Sequence, residues 1–434
     1  MIAQDAAVAV LDRPTTQSLL KAYVDVRSLS QKLCQPLETE DYVIQSMADV
    51  SPTRWHLAHT TWFFETFVLS RARSNYREYD PHYGYLFNSY YNMVGEQFPR
   101  ARRGVLSRPT VREVFAYRAH VDKHMRDLLS ELDPTSQPKL AEVIEVGLNH
   151  EQQHQELILT DIKHVFSCNP LHPVFHARKV TPAAQPARLV WRPYEEGVRW
   201  MGHDGKGFSY DNEHPRHRAF VDKFELATRL VTNAEYLAFM EDDGYRRPEL
   251  WLSEGWATVQ ERRWEAPLYW RKGDGGWWHF TLSGLRPVDP AEPVCHVSYF
   301  EADAYARWSK VWLPTEAAWE NAAEAVPVEG NFVDSETFHP VVLDSGSDDT
   351  KVNQLFGDVW EWTCSPYVAY PGYRAMDGAL GEYNGKFMCN QMVLRGGSCA
   401  TSRSHVRATY RNFFPPDARW QFTGIRLSRE LTGR

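Results

Sequence analysis

The sequence predicts two fold classes in tandem, a four-helix bundle followed by an irregular α+β domain. Three observations carry this. From about residue 15 to 168 apolar side chains recur at helical spacing over long stretches. Four prolines, Pro170, Pro173, Pro182 and Pro186, then interrupt any helix. Beyond them tryptophan, tyrosine and glycine turns crowd the chain, and long periodic helices mostly stop. The boundaries drawn are 15–168 for the bundle, 169–190 for a linker and 191–430 for the second domain.

The elements follow in order. Leu19 to Leu33 is periodic and stops before Pro36. Ser51-Pro52 reads as an N-cap with proline at the first helical position, opening a helix through Trp55, His59, Trp62, Phe63 and Thr66. Pro109 opens a third helix through Val114, Val121, Met125 and Leu128, and Leu140 to Val165 forms the fourth. In the second domain short helices are expected at Thr232 to Met240, at Tyr299 to Trp308, and from Thr315 through Trp319 to Ala323. Short strands and long loops fill the rest.

Composition narrows the function. The 434 residues suffice for two or three domains, and 43% hydrophobic with 24% charged residues is ordinary for a globular chain. A net charge of −8 offers no broad basic surface, which argues against nucleic acid. Met1 to Arg13 lacks a charged-then-apolar signal pattern, and no stretch approaches membrane-spanning length, so the expected location is cytoplasmic. Six cysteines are scattered without a CxxC pair, against a zinc ribbon or a disulfide framework.

The chemistry is concentrated in His150-Glu151-Gln152-Gln153-His154-Gln155-Glu156-Leu157. Imidazoles at i and i+4 share one helix face. Val143, Gly147, His150, His154, Leu157, Ile158 and Asp161 keep helical spacing, which turns both histidines inward. They read either as a pair of hydrogen-bonded core histidines or as two ligands of one metal ion. His59 lies one turn from Trp55 and from Trp62, on the inward aromatic face, and is the best third ligand. His56 points away and reads as a boundary or backing residue. His120 and His124 repeat the spacing but fall off or at the edge of their helix's apolar stripe, so a solvated face is expected. His164 is too far along its helix to share the ion. Three imidazoles suit iron with three open positions, or zinc with one; spacing alone leaves both open.

The phrases Ser51-Pro52-Thr53-Arg54-Trp55-His56-Leu57-Ala58-His59 and His150 to Glu156 resemble the DinB-like bundle of the ergothioneine-biosynthesis sulfoxide synthases. Leu313-Pro314-Thr315-Glu316-Ala317-Ala318-Trp319-Glu320, Gly357-Asp358-Val359-Trp360-Glu361-Trp362, Arg395-Gly396-Gly397-Ser398 and Gly424-Ile425-Arg426 are similar to the formylglycine-generating-enzyme-type domain, of C-type-lectin-like fold. The order of both on one chain is specific. The resemblance implies a non-haem iron(II) enzyme. It would join the sulfur of cysteine or γ-glutamylcysteine to imidazole C2 of hercynine (Nα-trimethylhistidine) and oxidise that sulfur with O2. His59, His150 and His154 would hold Fe(II). Gln153 and Asn412 would lie beside the substrate imidazole. Arg100 and Arg103 would bind the thiol substrate's carboxylate, a task that suits arginine's fixed fork of donors. Aromatic rings would meet the trimethylammonium group.

Two departures carry information. Mycobacterial members have Trp-Asp after the asparagine, and that acid helps bind the γ-glutamyl amine; here Phe413-Phe414 follows Asn412, which favours free cysteine and leaves γ-glutamylcysteine open. Their catalytic tyrosine precedes the Arg-Gly-Gly-Ser motif, where Met376 stands here, with Tyr373 and Tyr383 nearby. Asn88-Ser89-Tyr90-Tyr91-Asn92 instead resembles a second branch, in which paired tyrosines supply the acidic hydroxyl. Tyr90 or Tyr91 is therefore the expected proton donor, against a purely structural pair.

Four rival readings fit the residues less well. Formylglycine generation needs a cysteine pair, but Cys399 stands alone, with Thr401 and Val406 at the expected places. A DinB-type thiol S-transferase with zinc or nickel leaves the second domain without a purpose. A binding module with a structural metal lacks an evident fourth ligand. Histidine as substrate, as in ovothiol synthesis, is the remaining alternative, although that family usually adds a methyltransferase domain for which there is no room.

Overall fold

The structure, a computed structural model, describes residues 15–177 and 186–430. The reading of Met1 to Arg13 and linker residue Pro182 lie outside the described residues. The bundle comprises α1 (Thr16–Cys34), α2 (Thr53–Phe64), α3 (Val111–Glu131) and α4 (Pro138–Cys168). A π-helical turn, Glu65–Leu69, extends α2. Helices α1 and α2 both pack on α4, and α2 also packs on α3.

Two helix starts differ from expectation. Pro52, not Ser51, is the N-cap of α2. Ser51 is employed elsewhere: its hydroxyl accepts from Arg103 Nη1 at 2.9 Å and its N–H donates to Asp161 at 2.8 Å. Helix α3 starts after Thr110, whose hydroxyl accepts from the Glu113 N–H while Glu113 reaches back to the cap; Pro109 precedes this box.

Close approach of α2 and α4 depends on Gly147. A Cβ there would lie 2.7 Å from Phe64 and 2.8 Å from Phe63. Beside this contact runs a buried ion network. Arg27 pairs with Asp122 at 2.7 Å and Glu151 at 2.8 Å, and Arg118 pairs with the other Glu151 oxygen at 2.5 Å. Each buried charge is met by an opposite one, which such burial requires.

The second segment is built from short pieces. Strands β1 (Trp191–Tyr194), β4 (Phe224–Ala227) and β12 (Ser428–Glu430) form an antiparallel sheet, ordered β1-β4-β12, that ties its beginning to its end. Strands β2 (Gly197–Met201) and β3 (His217–Val221) form a ribbon; β5 (Trp270–Gly273), β6 (Gly276–Thr281) and β7 (Gly284–Pro287) form a meander. A mixed sheet has the order β10 (Asn412–Phe414), β9 (Met392–Arg395), β8 (Trp360–Pro366), β11 (Thr423–Gly424). Helices α5 (Asn233–Glu241), α7 (Tyr299–Trp308) and α8 (Glu316–Ala323) stand where expected, capped by Thr232, Ser298 and Thr315. Helix α6 (Ser253–Arg262) was not expected; its start, after Leu252, carries no side-chain cap.

The motif residues of this segment are mostly structural glue. Arg395 pairs with Glu316 at 2.6 Å and Glu320 at 2.8 Å, Arg411 with Glu316 at 2.7 Å, and Arg426 with Glu361 at 2.8 Å, all buried. No disulfide joins cysteines among the described residues. No described helix is long and apolar enough to cross a membrane.

Helix α4 fastens the two segments together. Glu156 accepts from Trp360 Nε1 at 2.6 Å, Ser398 at 2.9 Å and Thr401 at 2.8 Å. Gln152 donates to Ser404 at 2.7 Å, and Asn149 meets His405 at 3.0 Å. One face of α4 thus holds histidines inside the bundle while the adjoining face docks on the second segment.

Candidate active site

His59 on α2 and His150 and His154 on α4 converge, with potential ligand atoms all within 4.8 Å of one another. The His59 Nδ1–H donates to the Phe87 carbonyl at 2.5 Å, which leaves Nε2 as a bare lone pair. That atom lies 3.1 Å from His150 Nε2. Two nitrogens at this distance need a proton or a cation between them. Burial keeps all three rings uncharged, pushing His59 and His154 far down and His150 to about 3, so the position is filled either by the single N–H of a neutral His150 or by a cation that both lone pairs accept. His150 Nδ1 is also buried without a hydrogen-bond partner. Three neutral, buried imidazoles therefore fit a divalent metal ion.

His154 has its own support. Its Nδ1 lies 2.8 Å from His56 Nδ1, and His56 Nε2 lies 3.0 Å from Asp161 Oδ2. A proton on His56 Nε2 is held by the carboxylate, so His56 Nδ1 accepts from His154 Nδ1–H and frees His154 Nε2. His56 thus backs a ligand, as a boundary residue would. Trp55 stacks on His59 at 4.6 Å. Arg103 also packs on this indole, its guanidinium carbon 3.3 Å from a ring centroid.

A cleft of about 360 Å³ opens over the triad, walled by both segments. Arg103 is 3% exposed, donates to Ser51 and Ser89, and makes no ion pair among the described residues. Burial, with Arg100 nearby, pushes its pKa down, which marks a cation short of an anion. Arg100 lies on the exposed rim, donating to the Asp49 carbonyl. Gln153 donates to the Tyr410 hydroxyl at 2.7 Å and accepts from the Tyr383 hydroxyl. Asn412 begins β10, its amide oxygen accepting from Phe413 N–H at 2.9 Å. Phe413 stacks on Tyr367 at 4.0 Å, and Phe414 meets Trp420 edge-on. All three line the cleft.

Of the tyrosine pair, Tyr90 lines the cleft. Tyr91 turns inward and packs on Phe67 at 4.9 Å and Trp62 at 5.9 Å. Tyr383 is the residue that sequence reasoning could not place. Its ring stands edge-on to His150 at 5.7 Å and stacks on Tyr210 at 5.4 Å, while Tyr373 bonds Asp211 instead. Tyr383 follows a short 3-10 turn, Gly378–Glu382, in an irregular loop without periodicity to orient it. Tyr210 and Tyr410, also on the wall, lie in irregular stretches too, whereas Glu156 on α4 and Trp360 on β8 stood in motifs whose spacing did not show that they face the cleft.

One further expectation is corrected. His120 and His124 are half-buried against Tyr76 and Tyr79, because the segment after the π-turn folds back over α3; they do not form a solvated face. His164 bonds Ser46 at 2.6 Å and stays apart from the triad. Burial pushes the Cys399 thiol far up, so it is no nucleophile.

Residues 22–158 match the DinB superfamily, and residues 186–431, more than half of the chain, match the sulfatase-modifying factor enzyme 1-like domain. This is the architecture of a DinB-type helical bundle followed by a sulfatase-modifying-factor-type domain. The chain is 29% identical to hercynine oxygenase of Mycolicibacterium thermoresistibile, over 96% of each chain. It is 30% identical to hercynine oxygenase of Mycolicibacterium smegmatis, covering 88% of this chain and 92% of that one. To ergothioneine biosynthesis protein 1 of Schizosaccharomyces pombe it is 30% identical over 51% of this chain and 27% of the relative. The chain belongs to the hercynine oxygenase family.

Proposed function

We propose that this chain is an iron(II)- and O2-dependent sulfoxide synthase of ergothioneine biosynthesis, joining hercynine to cysteine. Its membership of the hercynine oxygenase family carries the reaction class. The observation that carries the site is the buried triad of His59, His150 and His154 beneath a cleft closed by both segments. Iron(II) on these nitrogens would bind and reduce O2 and favour the thiolate form of the second substrate. In balance, the C2–H and S–H bonds break and a C2–S bond forms. One oxygen atom ends on sulfur and the other in water, so O2 takes up four electrons.

The chain's own residues supply the rest. Arg103 would meet the thiol substrate's carboxylate, with Arg100 at the rim drawing it in. Gln153, fixed between Tyr383 and Tyr410, would orient the substrate imidazole, with Asn412 beside it. Tyr210, Trp360 and Tyr410 give π-faces for a trimethylammonium group. Tyr90 would hold or deliver a proton at the reacting oxygen. Glu156 is the one carboxylate on the wall among the described residues, and three donors already occupy it. A γ-glutamyl amine would find no free acid, which favours cysteine. The reading includes a cytoplasmic enzyme whose partners are small molecules.

The test is anaerobic Fe(II) loading followed by oxygen uptake with hercynine and cysteine, singly and together, and with γ-glutamylcysteine in parallel. Uptake that needs hercynine and cysteine, with a C–S-linked sulfoxide by mass, is expected. Uptake with thiol alone would indicate a thiol dioxygenase, and none in iron-loaded protein would return the zinc transferase. Tyr90→Phe is expected to change rate or product ratio, and Tyr91→Phe to change neither. An unaltered Tyr90→Phe enzyme would remove that role.

A further inference from the structure

A second convergence of ligand-type side chains lies in the C-terminal segment, away from the cleft. His279 on β6, Glu292 and His339 bring their potential ligand atoms within 4.8 Å of one another. We propose that these three residues bind a divalent ion of the zinc class, as a structural pin.

Four features support it. All three side chains are buried, at 6%, 1% and 4% exposure. His279 Nε2 has no hydrogen-bond partner, although its ring is shut away from water. A buried polar nitrogen left unmet costs about 1–3 kcal/mol, and a metal ion is a partner that a neutral imidazole accepts. Two imidazoles and one carboxylate form a zinc-type donor set. Finally, Glu292 is oriented from behind: its Oε2 accepts from Arg286 at 2.6 Å and from His339 Nε2 at 3.1 Å. Hydrogen bonds of this kind aim a ligating carboxylate. The same guanidinium competes with a cation for the Glu292 carboxylate.

Size separates a structural from a catalytic role. The adjoining cavity, lined by His279 and His339, measures about 10 Å³. That admits one water as a fourth ligand and no substrate. The ion would tie three pieces that share little regular structure: the β5–β7 meander, the loop after β7, and the stretch 336–355, whose regular pairing is limited to one isolated bridge from Asp344 to Pro186. The neighbouring Lys163 lies nine residues beyond His154 on α4, roughly 14 Å of helix rise, so the two sites are separate.

The experiment strips the full chain with a chelator, reloads it with Zn(II) and counts zinc by mass spectrometry. Wild type is expected to hold two equivalents. His279→Asn should hold one and keep full iron loading and oxygen uptake, whereas His150→Ala should hold the other one. If His279→Asn does not fold, zinc is titrated into His150→Ala/His154→Ala, whose melting temperature should still rise with zinc. A single wild-type equivalent, lost in His150→Ala and kept in His279→Asn, would overturn the proposal, as would no zinc-dependent melting shift in the double variant. The cluster would then be an Arg286-centred hydrogen-bond network.

Discussion

Asp161→Asn isolates one charge behind the proposed metal site. Asp161 never touches the ion position; it holds His56 Nε2 at 3.0 Å, and His56 holds His154 at 2.8 Å. The asparagine is isosteric. Its amide oxygen can accept from both His56 Nε2–H and the Ser51 N–H that now reach Asp161 Oδ2, while its amino group can turn to the Thr160 hydroxyl. Geometry is kept and the negative charge is lost. Asp161 is 3% exposed, so water does not replace that charge. Outer partners of metal-bound histidines are worth roughly 10–100-fold in affinity, or about 1.4–2.7 kcal/mol. The variant should therefore bind Fe(II) or Co(II) 10–100-fold more weakly in anaerobic chelator competition, with a melting temperature close to wild type in the metal-free state. His56→Phe should bind more weakly still, because it leaves His154 Nδ1–H buried without an acceptor. Equal metal affinity in Asp161→Asn and wild type would refute the relay.

Arg103→Ala should raise KM for the thiol substrate on the order of 30-fold, from about 2 kcal/mol for a lost buried ion pair; a purely structural arginine would lower the melting temperature and leave KM alone. Gly147→Ala drives a methyl into Phe63 and Phe64 and should cost about 1–3 kcal/mol in urea unfolding. Since Phe63 packs on His150 at 4.9 Å, metal affinity should fall with it. Metal-free protein should lose stability as pH falls below about 6.5. The unfolded chain there takes up protons that the buried triad, with depressed folded pKa values, refuses. The slope approaches on the order of 1.4 kcal/mol per histidine per pH unit. Urea midpoints at pH 7.5, 6.0 and 5.0 check this, and a flat profile would contradict it.

Much of the bundle was legible because its signals are local. Helical spacing located the bundle helices to within a few residues at each end, and it turned His150, His154 and His59 to the inside before any packing was known. The starts of α2 and α3 were misread for a specific reason. A serine or proline near a helix start suggests a cap, but Ser51 is bound to Arg103 and Asp161, which lie far along the chain, while Thr110 satisfies its helix just after Pro109. His120 and His124 were judged from their own helix alone, and the tyrosines that cover them come from another segment.

Periodicity and contiguous motifs sufficed for the bundle helices, the three inward imidazoles and the family, but not for α6. Packing between segments placed Tyr90 rather than Tyr91 at the cleft, Tyr383 beside His150, and Arg103 in a buried position with no ion pair among the described residues. These depend on which loop lies against which helix. Loop residues are placed by long-range contacts, here the hydrogen bonds from Glu156, Gln152 and Gln153 on α4 to the second segment, and no local spacing encodes them.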